Sequence, residues 1–173
     1  IVTDAYAASR LVYEHLKERL AAEGGTPSGR AEDAAAFLAL AKLVALADDN
    51  DRWIHALPGS RELALTVGAM RDATAYEELL TIDADVTPTP LMRAAEARVA
   101  AELAATHALA ERTRRERRVG DVTVLAAWCA GYPSEIGDKW GKAVPNAVVA
   151  LYDTKSAGVS FRRYKVWCQL RAA

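Results

Sequence analysis

A chain of 173 residues, half of them apolar, has room for one sizeable domain or two small ones and holds too many core-forming residues to be disordered. Its net charge of −1 hides a split: residues 1–110 carry ten Lys/Arg against seventeen Asp/Glu (−7), and residues 111–173 carry twelve against six (+6). The basic second part can face phosphate, or it can face the acidic first part.

Residues 5–22, "AYAASRLVYEHLKERLAA", have helical spacing, and "EGGTPSGR" supplies the loop chemistry that breaks it. A second helix is expected over 31–47, where Phe37, Leu40, Val44 and Ala47 repeat at threes and fours; it runs into "DDND". Pro58-Gly59 marks a turn, with Ser60 as N-cap of a short helix to about residue 70, and "DATAYEELLTI" gives another. After the loop "DADVTPTP", Pro90 opens the longest helix, 91–118, with Leu91, Ala95, Val99, Leu103, Thr106 and Ala110 as its apolar stripe. Arg112, Arg114, Arg115, Arg117 and Arg118 fall near its C-terminus, where the helix dipole favours cations, and Gly120 stops it.

Beyond Gly120 the texture changes. "DVTVLAAW" is a strand, "SEIGDKWGKA" a short helix capped by Ser134, and "NAVVALYDT" and "VSFRRYKVW" are antiparallel strands joined by "KSAG". The expected class is α+β or α/β: a helical part over 1–90, a linker helix over 91–118, and a small β-α-β-β domain over 119–173.

Several stretches, in order, resemble the DHH/DHHA1 phosphoesterase superfamily. "LVALADDNDRWIHALPGSREL" is similar to its acidic–Asp–x–Asp–x–Trp segment followed by "LPxSRE", and "AASRLVYEHL" to its "SGAxLAWEYL" helix. "VTVLAAWCAGYPSEIGDKWGK" with "NAVVALYDTKSAGVSFRR" looks like the DHHA1 strand, helix and hairpin ending in "VSLRS". The paired aspartates and Asp-His-His motif of the family are not in the sequence, nor is its Gly-Gly-Gly-His segment; the last is replaced by "YKVWCQLRAA". The chain opens on Ile, as a fragment, a processed form or the ordered part of a longer protein would.

The resemblance implies hydrolysis of small phosphate esters or of short or cyclic nucleotides by divalent Mn or Mg, provided the catalytic segments exist. Two-metal hydrolysis needs a dense set of carboxylates. Asp49 and Asp51 match the Asp-x-Asp-x-Trp pattern, with Asp49 as first candidate ligand and Asp51 expected to turn back onto loop amides. The other reading is a solvated helix end, where carboxylates oppose the dipole and ask for a nearby cation. In "SFRR", alternation sends Ser160 and Arg162 to one face; the resemblance makes them substrate-binding candidates, against an edge-strand role for Arg162.

Trp53 and Leu57 are expected to cover the core, the lone His15 and His55 to be surface residues rather than ligands, and His107 to face solvent. The arginine cluster is broken by Glu111 and Glu116 and has no aromatic interleaved, which favours a solvated linker helix over nucleic-acid binding.

The leading expectation is thus a fragment or degenerate relative of a metal-dependent phosphoesterase, inactive as it stands. The rival is a non-catalytic binding or assembly module. Partners would be a small phosphorylated substrate or short oligonucleotide, with a homodimer as an option, and neither a membrane nor duplex nucleic acid. Cys129 and Cys168 fit no zinc or redox spacing, and no signal peptide or long apolar run is seen, so the expected location is cytoplasmic.

Overall fold

A computed structural model describes residues 5–22, 31–70, 72–163 and 166–171. The protein is α+β and divides into two compact units, Ile1–Val99 and Ala100–Ala173.

The first unit holds α1 (Ala8–Ala22), α2 (Ala31–Ala39), α3 (Ala41–Asp51), α4 (Ser60–Met70), α5 (Asp72–Thr81) and the start of α6 (Pro90–Thr113). The second helix expected from sequence is two helices, parted by a turn at Leu40 whose N–H donates to Phe37 O at 3.1 Å. Tyr13 of α1 stacks on Phe37 of α2 with ring centroids 4.9 Å apart. Pro90 does begin α6, and Thr89 caps it by accepting the Met92 N–H at 3.2 Å, satisfying one of the orphan donors of the first turn. Met92, Ala95 and Val99, one face of that helix, are buried.

The long helix ends at Thr113, not at 118, and this corrects the linker reading. The Thr113 hydroxyl donates to Leu109 O at 2.9 Å and accepts the Trp128 N–H at 3.0 Å, tying the helix end to a strand. The arginine run that follows is itself a strand, β1 (Arg115–Val119), paired antiparallel with β2 (Val122–Cys129). Gly120, at φ +62, is the hairpin turn between them and not a helix stop. Nor is α6 a bare linker, since Thr106 and Ala110 are buried in the second unit.

The second unit continues with α7 (Pro133–Ala143), β3 (Ala147–Asp153), β4 (Gly158–Arg163) and β5 (Val166–Arg171). The sheet order is β1-β2-β3-β4-β5; β2 and β3 are parallel across the α7 crossover and every other pair is antiparallel. The expected β-α-β-β core is present, with one more strand at each edge. Tyr132, in left-handed conformation, holds the cap position of α7 and Pro133 the first turn; Ser134 lies inside the helix and does not cap it.

Alternation along the strands puts Leu125, Cys129, Val149 and Leu151 on the face that α7 covers with Ile136 and Trp140. Each large aliphatic buried there stabilises the unit by about 1.5–3 kcal/mol. Trp140 donates its indole N–H to Glu111 at 2.9 Å, and the Arg114 guanidinium lies 5.1 Å above its ring. Among the described residues no helix is long and apolar enough to cross a membrane.

Candidate functional site

The acidic run closes α3, and its three aspartates have three different environments. Asp48 is buried; its Oδ1 accepts the Ala7 N–H at 2.6 Å, and its Oδ2 lies 3.5 Å from Arg10 and 3.6 Å from Arg52. The cations that a carboxylate at a helix C-terminus calls for are therefore supplied by α1 and by the residue that follows α3. Asp49 is also buried. Its Oδ1 accepts the Ala56 N–H at 3.0 Å, and its Oδ2 accepts the Leu57 N–H at 3.2 Å and the Ser60 hydroxyl. That Ser60 bond does most to hold the Asp49 carboxyl below its ordinary value; burial works against it, and the amides of Ala56 and Leu57 and the nearby His55 add to the lowering.

Asp49 thus acts as a clamp for residues 52–57. The loop bends back sharply enough to place Trp53 and His55 at φ 56 and 52, a region that non-glycine residues seldom occupy. The Trp53 N–H donates to Asn50 O and the Ile54 N–H to Asp49 O, both at 2.9 Å. The clamp on loop amides is Asp49, where Asp51 was expected. The Asp51 side chain is exposed and makes no hydrogen bond or ion pair among the described residues. Trp53 and Leu57 do not cover a core: Leu57 is 42 % exposed, and Trp53 lies against His55 with ring centroids 4.7 Å apart.

These residues do not fit a two-metal centre. Two of the three carboxylates spend their oxygens on hydrogen bonds and arginines of the chain itself, and one exposed carboxylate cannot replace the dense oxygen set that two divalent ions need. Among the described residues no group of three or more His, Cys, Asp or Glu converges as ligands would.

In the second unit Ser160 is fully buried on the face under α7, opposite Leu151, and its hydroxyl has no hydrogen-bond partner among the described residues. The backbone of Arg162 pairs with Val149 on one side and Trp167 on the other. The direction expected for its side chain falls outside the described residues.

A second carboxylate clamp sits where β3 ends. Asp153 accepts the N–H of Gly131 at 2.7 Å and of Lys155 at 3.0 Å, and the Ser156 hydroxyl at 2.8 Å. Burial opposes its ionisation, but those bonds outweigh burial and leave its pKa below the ordinary value. An anion therefore has no free donor at the Gly131 amide, although the turn leads into the N-terminus of α7.

The face of the sheet away from α7 was missed from the sequence. Trp128, Tyr152 and Val159 stand side by side across β2, β3 and β4, and Arg115 lies opposite Ala126 on the same face. With Arg112 they line a groove of about 450 Å³. The signal available was the phase of alternation: Trp128 and Tyr152 are each one residue out of step with the buried positions of their strands. No protein-family model matches the chain, and neither a curated protein nor a solved structure matches it.

Proposed function

We propose that the chain is a degenerate relative of the metal-dependent DHH/DHHA1 phosphoesterases that works as a binding module, taking small phosphate esters or short oligonucleotides without hydrolysing them. The ligand class comes from the sequence resemblance. The reading rests on one observation: Asp48 and Asp49, at the family's acidic positions, are committed to an amide, two arginines and a loop clamp. Recruiting either to a metal would take the acceptor from a buried donor, the Ala7 amide for Asp48 or the Ser60 hydroxyl for Asp49, and an unsatisfied buried donor costs about 1–3 kcal/mol.

Calorimetry with a linear dinucleotide, alongside a hydrolysis assay in Mn²⁺, tests this. Binding that survives EDTA, with no turnover, is the expected result. Turnover abolished by EDTA, or no binding of the dinucleotide at all, overturns it.

A further inference from the structure

The geometry points to a single-stranded oligonucleotide site on the open face of the sheet, a base stacked on Trp128 and Tyr152 and its phosphates held by Arg112, Arg115 and Arg117. The site rests on the binding-module reading and adds to it a place in the fold and a choice between its two ligands.

The aromatic half comes from register. Trp128 pairs with Tyr152 in the parallel ladder and Tyr152 with Val159 in the antiparallel one, so the three side chains form one row across the sheet. Trp128 is 58 % exposed and Tyr152 41 %, although each strand buries its other face. Large flat rings left open in a row are a platform for bases, which stack whatever their sequence. The row is well held: the Trp128 N–H donates to the hydroxyl of Thr113, next to Arg112 in the chain.

The charge half comes from sorting along β1. Arg115 lies opposite Ala126 and Arg117 opposite Val124, both on the open face, while Glu116 lies opposite Leu125 on the covered one. The acids of this region are used elsewhere: Glu111 and Glu116 both reach Arg114, and Glu111 also takes the Trp140 N–H. Arg112, Arg115 and Arg117 are exposed and have no carboxylate partner among the described residues. Three guanidinium groups without a carboxylate partner among the described residues, of which only Arg115 has a bond, to Arg114 O at 3.0 Å, stand beside an aromatic row and call for an occupant that is both anionic and planar. A second copy docked face to face would set one group of arginines against another. An apolar peptide would leave them unsatisfied.

Duplex nucleic acid presents phosphates, but its bases are stacked inside and cannot reach Trp128. Single strands satisfy both halves. Three phosphate contacts on a single strand give a log–log salt slope of about −2.

The test is fluorescence anisotropy with a labelled oligothymidylate of about ten nucleotides, titrated between about 50 and 200 mM salt. Trp128→Ala and Tyr152→Ala should each weaken binding about ten-fold with the salt slope unchanged. Arg112→Gln with Arg115→Gln should flatten the slope to about −0.7 while the rings stay in place. The arginines are exposed, so this variant remains informative even if Trp128→Ala unfolds. Wild-type affinity in all of these variants overturns the site, as does equal affinity for duplex of the same length. Phosphatidylserine vesicles that bind as tightly as the oligonucleotide would make the face a membrane-docking surface and overturn it too. If the dinucleotide binds and Trp128→Ala leaves that binding intact, the site fails while the binding-module reading stands; if neither ligand binds, both fail.

Discussion

Asp48→Ala separates a structural acidic run from a metal-binding one. The buried carboxylate accepts the Ala7 amide at 2.6 Å, a charge-assisted bond that stabilises by about 1.5–3 kcal/mol. Its pairs with Arg10 and Arg52 span 3.5 and 3.6 Å, and both arginines are about one-third exposed, so solvent screening discounts each pair to about 0.2–1 kcal/mol. Relief of the unfavourable charge at the α3 C-terminus returns about 0.3–1 kcal/mol. The net expected loss is about 2–4 kcal/mol. Asp48→Asn, which keeps an oxygen for Ala7 and loses the charge, should fall between the variant and wild type. Urea unfolding followed by far-ultraviolet dichroism measures this through the midpoint, provided the slope is unchanged. A loss below about 0.5 kcal/mol would refute the structural role of Asp48. That role is equally refuted if Mn²⁺ at a hundred times its dissociation constant stabilises wild type by the expected 2.7 kcal/mol or so and leaves Asp48→Asn unmoved.

Four further outcomes follow from the structure. Leu151→Ala, at a fully buried position beneath α7, should cost about 2–5 kcal/mol in urea unfolding, and a smaller loss would mean the sheet face collapses to fill the cavity. Burial, reinforced by the charge of Asp153, pushes the Cys129 thiol up to about 12, so in a Cys168→Ser background a disulfide reagent should titrate no thiol until the protein unfolds; a fast native reaction sinks this. The folded-state pKa of Asp153 lies below its ordinary 3.8, so its stabilisation is complete above that value and is lost as pH falls through the lower folded value. Asp153→Asn should therefore be less stable than wild type at neutral pH, with the gap closing in acid; a gap that stays constant with pH contradicts the ionic clamp. Finally, hydrogen exchange over Arg115–Val119 should alternate residue by residue, as an edge strand bonds only every second amide to its neighbour, whereas unbroken protection would restore the helix.

Much of the architecture was legible because local signals and burial agree. Pro90 at a helix start and the β-branched runs of β2 and β3 each have one favourable reading and stand where those signals place them; Ser60, expected as a cap, is instead the first residue of α4, its hydroxyl donating to Asp49 while Gly59 O accepts the Leu63 N–H. The failures lie where two signals compete. Ser134 satisfies the usual preference for a cap, but Pro133 already fixes the first turn and moves the cap to Tyr132. Asp49 and Asp51 share one motif and one residue type. Which of them turns inward depends on the angle at which the chain leaves α3, and a spacing of two says nothing about that angle.

The arginine run shows how a wrong period conceals a site. On a helix, five arginines among two glutamates spread around the axis, every face mixes charge, and a solvated surface is the natural conclusion. Strong helix propensity in "ERTRRERR" favours that reading, but pairing with β2 overrides it. On a strand the period is two, and the same letters sort themselves: Arg115 and Arg117 go to the open face, and Glu116 and Arg118 to the other. The sorting removes the acid from the cationic strip with no change in composition. The aromatic residues judged missing from the run stand beside it in space, Trp128 one strand away and Tyr152 two, so the interleaving that was sought along the chain runs across the ladder.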